Sequence, residues 1–289
     1  MDIKDTVKWF IEDVQNDDST KDLIQAARDL GFEVKEADLT NPFDTYLNYF
    51  PEDSCVVTET SIQSAEQIMK QCPNWIPSVW DNVEQFACKY YYQFFGDYLF
   101  NDKYVMLPLG EVTRRLDDLY DWLGKHDTIF IRPSSGRKTF TGQLFDRKYF
   151  HKDFNAVISY GGNDTDLVVV STPKIILGEY RYIIGDRKVI ASSQYSWDDK
   201  PNKKEAPKHL NGFVDMVLAD TTDFNPCPVW VLDVCLDADL KPHVLEVGSF
   251  SCSGLYACDK KSIVEKTSEI AFREYKELSP KFHINRNGN

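Results

Sequence analysis

The sequence predicts a mixed α/β (α+β) protein built from more than one subdomain. Helix-period segments alternate with short strands through the first part of the chain, and β-branched, strand-like runs dominate from residue 128 onward. With 289 residues, the chain also exceeds the ~100–200 residues that one core usually organises. A junction near residue 126 divides it into an N-terminal α/β domain, 1–126, and a second region, 127–289.

Apolar periodicity predicts helices over 7–14 and 21–30, the second stopped by Gly31 before a strand at 32–34. A strand at 55–58 precedes a helix over 61–70 with Ser61 as N-cap. The aromatic run VEQFACKYYYQFF, 83–95, reads as a core helix packing Phe86, Tyr90 and Phe94 at i, i+4 spacing. A surface for stacking bases would interleave Lys or Arg, and this run holds only Lys89. Pro108 and an acidic helix over 111–123, ended by Gly124, lead to the junction. Strands follow at 128–132, 140–145, 157–160, 167–171, 175–184 and 188–194, the last two joined by a Gly185-Asp186 turn. Residues 202–219 read as a helix carrying Leu210, Phe213, Val217 and Leu218. Strands at 229–236 and 243–247 flank the turn Asp237-Ala238-Asp239, and an amphipathic helix over 262–278 closes the chain.

The composition of 42% hydrophobic and 13% aromatic residues supplies packed interiors and argues against disorder. A net charge of −13 excludes nucleic-acid binding by bulk electrostatics. The excess is uneven: 11 Lys+Arg against 25 Asp+Glu before residue 128, and 22 against 21 after it. The near-neutral second part is therefore the better host for an anionic ligand. Seven cysteines form no CxxC pair and no disulfide rhythm, so they read as small core residues in a reducing compartment. The acidic N-terminus lacks an apolar signal core and no run approaches a membrane span, which leads us to expect a cytoplasmic protein with no membrane partner.

Residues 128–145, TIFIRPSSGRKTFTGQLF, read as a strand, a small polar basic loop and a second strand. Such a hairpin either folds over nucleotide phosphates or is a solvated tip. Asp233 and Glu246 each interrupt an apolar strand, where a charge is costly unless paired or bound to metal. On antiparallel neighbours, a small register adjustment places both on one face. They then either hold magnesium, which favours one or two carboxylates plus phosphate oxygens and water, or pair with Arg or Lys. Glu179 and Arg181 share a strand face at i, i+2; Arg181 suits a carboxylate or phosphate, or a plain cross-strand salt bridge. The apolar strand ending in Ser171-Thr172-Pro173 could offer backbone groups to an adenine edge. The five histidines form no HxH or HExxH pattern, and neither a GxSxG elbow nor a Walker motif occurs.

In order, these elements resemble the ATP-grasp superfamily, in which two α/β subdomains close over Mg-ATP. The segments IRPSSGRKTFTGQLF, GEYRYIIGDRKVIASSQY and LDVCLDADLKPHVLEVGSFSCSGLY resemble its divergent two-lysine clade. That clade includes phage and bacterial families, which this chain most resembles, and a eukaryotic assembly factor for a translation-initiation complex. The resemblance covers about residues 74–258 and implies a pre-ATP-grasp α/β domain before it.

The resemblance implies that Arg132 and Lys138 contact phosphates, with Lys174 as the second clade lysine. It puts Glu179 near nucleotide or metal, Arg181 at the acyl phosphate or substrate, and Asp233 and Glu246 on Mg2+. Many superfamily members carry Glu-x-Asn at the second metal position. Here Val247 and Gly248 follow Glu246, so Ser249 or water would have to substitute. Ser251, Ser253 and Tyr256 either line the acceptor pocket or serve the turn.

The implied function is an ATP-dependent carboxylate–amine ligase acting through an acyl phosphate on a small-molecule, peptide or protein acceptor, in a bacterial or virus-infected cell. A non-catalytic ATP-binding module that assembles or sequesters a protein partner is the alternative, and a phosphotransferase is a third class.

Overall fold

The computed structural model describes residues 2–12, 18–37, 46–137, 139–159 and 161–280. A one-turn helix, α1 (Ile3–Thr6), leads into β1 (Val7–Glu12), followed by α2 (Asp18–Asp29), β2 (Glu33–Ala37), β3 (Cys55–Glu59), α3 (Ile62–Gln71) and β4 (Ile76–Ser78). The four strands form a parallel sheet in the order β2-β1-β3-β4. Residues 7–12 are thus a strand, not the expected helix. The central position of β1 buries both its faces, and a doubly buried parallel strand shows a continuous apolar run that mimics helical periodicity. Residues 13 and 14 of the expected helix lie outside the described residues. Ser61 caps α3 as expected, accepting from Ser64 N.

The second sheet begins after α4 (Cys88–Phe95) with β5 (Tyr104–Pro108). The acidic stretch forms two short helices, α5 (Leu109–Val112) and α6 (Leu116–Leu123), and then come β6 (Thr128–Pro133), β7 (Gln143–Asp146), α7 (Phe150–Ser159) and β8 (Leu167–Ser171). This sheet is antiparallel, ordered β5-β8-β6-β7, so its strands come from both sides of residue 126. Two expectations change here. In α4 the buried face carries Cys88, Tyr91, Tyr92 and Phe95, whereas Tyr90 and Phe94 are only partly buried. Residues 157–159, expected in a strand, are the last turn of α7; the buried series Phe150, Phe154, Val157 follows a helical face, and ten residues of that period outweigh a short β-branched run. Tyr160 lies outside the described residues.

The third sheet contains β9 (Ile176–Gly185), β10 (Lys188–Trp197), β11 (Lys200–Glu205), then, after α8 (Asn211–Asp220), β12 (Val229–Asp237) and β13 (Pro242–Ser249). Its antiparallel order is β11-β10-β9-β12-β13. The expected helix over 202–219 splits, because residues 200–205 form a lysine-bearing edge strand, a composition that discourages further pairing. The last helix, α9 (Lys260–Leu278), returns to the first sheet, and one core unites Trp9, Val57, Ile183, Val231, Ile263 and Tyr275. Trp9 Nε1 donates to Ser268 Oγ at 3.1 Å within that core. No described helix is long and apolar enough to cross a membrane. The cysteines are free and at least half-buried, and burial pushes the Cys55 thiol up to about 12 and Cys72 to about 11.

Candidate active site

Three neighbouring strands of the third sheet place Arg181, Asp233 and Glu246 in one row, because β9 pairs Arg181 with Asp233 and β12 pairs Asp233 with Glu246. A bulge between Asp233 and Val234 supplies the register adjustment that puts both acids on the same face. Arg181 grips Asp233 with two hydrogen bonds, Nε to Oδ1 at 2.9 Å and Nη2 to Oδ2 at 2.7 Å, and donates a third from Nη1 to Gly254 O. Arg181 is 7% exposed and Asp233 2%. Burial opposes the charged guanidinium, but Asp233 outweighs it and holds Arg181 above its ordinary pKa.

The second sheet reaches this row through β6. Arg132 Nη2 donates to Glu246 Oε2 at 2.7 Å, joining the two sheets. Both arginine–carboxylate pairings left open by the sequence are therefore formed. Gly142 brings the returning arm of the β6–β7 hairpin close to Arg132: a Cβ there would stand 2.8 Å from the Phe130 ring and 2.9 Å from Arg132 Cβ. We expect Gly142→Ala to displace Arg132 and cost about 1–3 kcal/mol through overpacking, visible as lower thermal stability together with weaker nucleotide binding.

Two cavities flank the Arg132–Glu246 contact. One, of about 70 Å³, is mainly apolar, walled by Phe100, Phe130, Leu144, Ile176 and Leu245, with Thr172 and Lys174 at its margin. Thr172 Oγ1 is buried without a hydrogen-bond partner. Lys174 Nζ is held by Asp102 and by Phe100 O, each at 2.6 Å. The other, of about 130 Å³, is polar and is walled by Asp81, Arg137, Glu246, Gly248, Ser249 and Ser253 among others.

Glu179 lies two residues from Arg181 on β9 and accepts from Tyr195 Oη at 3.1 Å. Burial raises its pKa, while the hydrogen bonds from Tyr195 and Ser196 oppose the shift. Tyr195 and Tyr256 stack at 4.8 Å, and the Arg181 guanidinium lies over both rings. Lys138 lies outside the described residues. The structure thus gathers Arg132, Arg181, Asp233 and Glu246, with Glu179 along the same strand and Lys174 across the apolar cavity.

Ser251, offered by the sequence as a pocket residue, is fully buried and accepts from Trp80 N at 3.0 Å, tying the third sheet to the N-terminal layer. Ser249 Oγ donates to Trp80 O at 2.8 Å and is committed there. The space beside Gly248 is open, its nearest neighbour being Ser253 Oγ at 3.9 Å from a would-be Cβ. Sequence reasoning assigned no role to Tyr195, or to the ion pairs that Arg137 of the basic loop makes with Glu66 at 3.2 Å and Asp81 at 3.5 Å.

The donor set at Asp233 and Glu246 is two facing carboxylates. Each Asp233 oxygen takes one Arg181 N–H and retains lone-pair capacity, chemistry that fits magnesium completed by phosphate oxygens and water. Among the described residues no group of three or more His, Cys, Asp or Glu is arranged to hold a metal, so ligands from outside the protein would be required.

Solved structures share the fold. D-cycloserine synthetase DcsG superposes with a TM-score of 0.65 at 12% identity, over 92% of this chain and 99% of that one. D-alanine–D-alanine ligase from Bacillus anthracis gives 0.56 at 14%, over 94% and 99%. The ATP-grasp ligase PsnB, complexed with a phosphomimetic variant of its minimal precursor, Mg and ADP, gives 0.54 at 12%, over 93% and 98%. A search of curated proteins finds no match. Residues 56–266 match the model of family 3 in the two-lysine clade of ATP-grasp domains, and the chain belongs to that family.

Proposed function

We propose that this chain is an ATP-dependent carboxylate–amine ligase that works through an acyl phosphate. The observation that carries this reading is the Arg132–Glu246 contact, where two sheets meet between an apolar cavity and a polar one, beside the Arg181–Asp233 pair. The apolar cavity suits a nucleobase, with Thr172 and Lys174 as its polar margin. Arg132 and Lys138 hold the phosphates, Asp233 and Glu246 hold Mg2+, and Glu179, through Tyr195, helps to orient the site. Bound magnesium supplies charge neutralisation at the phosphates. Arg181, fixed by Asp233 and by the two tyrosine rings, faces the acyl phosphate and offsets charge as it forms and breaks.

The likeness to DcsG, PsnB and D-alanine–D-alanine ligase supports a C–N or related ligation, and the PsnB complexes with precursor support a peptide among the acceptors to be tried. Free, buried thiols are in keeping with a reducing cytoplasm. The test is ADP release with Mg2+ across a panel of amino acids and peptides, with mass spectrometry of the products. Amide, ADP and phosphate identify the ligase; a phospho-product with ADP identifies a phosphotransferase; no turnover across the panel returns the reading to a non-catalytic module. We further expect Lys138→Ala to lower turnover by about 10²-fold or more with little change in melting temperature. Unchanged ADP release in that variant would remove Lys138 from the phosphate site.

A further inference from the structure

The polar cavity has a second charged wall that the ligase reading leaves unused. Its 130 Å³ lie between Glu246 and Arg132 on one side and Asp81 and Arg137 on the other, with Gly248 and Ser253 between them. The Asp81 side chain is 8% exposed, and its ion pair with Arg137 Nη1 spans 3.5 Å. That nitrogen is itself buried and makes no hydrogen bond. Arg137 is shared, its Nε standing 3.2 Å from Glu66, so two carboxylates face a single guanidinium and the balance is anionic. A buried, loosely paired carboxylate on a small cavity beside the proposed acyl-phosphate site suits a cationic headgroup.

We propose that this cavity receives the amine end of the acceptor as an ammonium group, and that Asp81 both anchors it and takes its first proton. This rests on the ligase reading. As the amine nitrogen attacks the acyl-phosphate carbon, the C–N bond forms and the C–O bond to phosphate breaks. Phosphate leaves with the electron pair; one ammonium proton ends on Asp81 and the second on the departing phosphate. Burial raises the Asp81 pKa and Glu66 adds to the rise, while Arg137 and the Asn82 N–H oppose it; the direction suits a base. The groups facing Asp81 are Arg137, Glu66 and the Asn82 N–H, with the Cys227 and Cys252 thiols within its field and the Arg132–Glu246 pair across the cavity.

The experiment compares two small nucleophiles with the carboxylate that gives the greatest ADP release: methylamine, protonated at neutral pH, and hydroxylamine, largely uncharged there. Asp81→Asn is expected to cut methylamide formation by about 10²-fold and leave hydroxamate formation nearly unchanged, since only the ammonium needs an anchor and a base. Removing the Arg137 cation raises the Asp81 pKa further, so in Arg137→Gln the acidic limb of the methylamide rate moves to higher pH. Equal losses with both nucleophiles, an unaffected methylamide rate, a wild-type protein that makes hydroxamate but no methylamide, or an unmoved limb would each overturn the assignment. A wild-type protein that makes no hydroxamate from any carboxylate fails the ligase reading itself, and the assignment with it.

Discussion

Arg181→Gln is expected to abolish turnover and to destabilise the fold by about 3–5 kcal/mol, because Asp233 would keep its buried charge while losing two guanidinium hydrogen bonds. The same substitution removes the cation stacked over Tyr195 and Tyr256 and the hydrogen bond to Gly254 O, loosening the turn that follows β13. Denaturant unfolding measures the first effect and ADP release the second. The double variant Arg181→Met/Asp233→Leu separates them. Replacing a buried ion pair by apolar side chains of similar size is often neutral for stability, so the double variant should regain most of the stability and none of the turnover. Recovery of turnover in the double variant would make this pair a structural salt bridge and move the chemistry elsewhere.

Glu246→Gln should cost at least about 10²-fold in turnover while changing stability far less, since Glu246 stands at the sheet-to-sheet contact, partly open to both cavities. Two losses combine. Arg132 exchanges a carboxylate partner for an amide and is no longer fixed by charge, and the metal site drops from two carboxylates to one. The second loss has its own signature: the Mg2+ concentration needed for half-maximal ADP release should rise, and raising Mg2+ should restore part of the rate. An Mg2+ dependence identical to that of the wild type would leave Glu246 as a partner of Arg132 and nothing more.

Much of the site was legible in the sequence. Acids inside apolar strands are expensive, and that expense alone singled out Asp233 and Glu246. The short turn at 237–239 then placed them on facing strands, where the structure puts them in direct register. Arg181 was legible as a bidentate group, and Arg132 by its position at the mouth of a basic loop. The partners were not. Metal binding and ion pairing stayed open for both acids, because the choice of arginine for each depends on which strands become neighbours 52 and 114 residues apart.

Tyr195 shows how far strand counting reaches. Pairing outward from the Gly185-Asp186 turn without interruption sets Ser192 opposite Arg181 and turns Tyr195 away from the site. A bulge between Val189 and Ala191 shifts the register by one, so Ser193 faces Arg181 and Tyr195 joins its face. One extra residue reverses every side chain beyond it. Residues 7–12 show the complementary failure, because an apolar run buried on both sides has no period of its own and only the strands flanking it reveal it as a strand.

The sequence by itself determined what is local: where turns and caps fall, which carboxylates carry an energetic cost, and that the acidic excess belongs to the first part of the chain. Tertiary structure alone decided the long-range pairings. It chose which arginine answers which acid, brought Asp81 of the N-terminal layer to the cavity that Glu246 borders, and sent the last helix back to the first sheet. The physical reason is that local preferences act over a few residues, whereas burying a charge or covering a sheet face is settled only by whatever the rest of the chain folds against it.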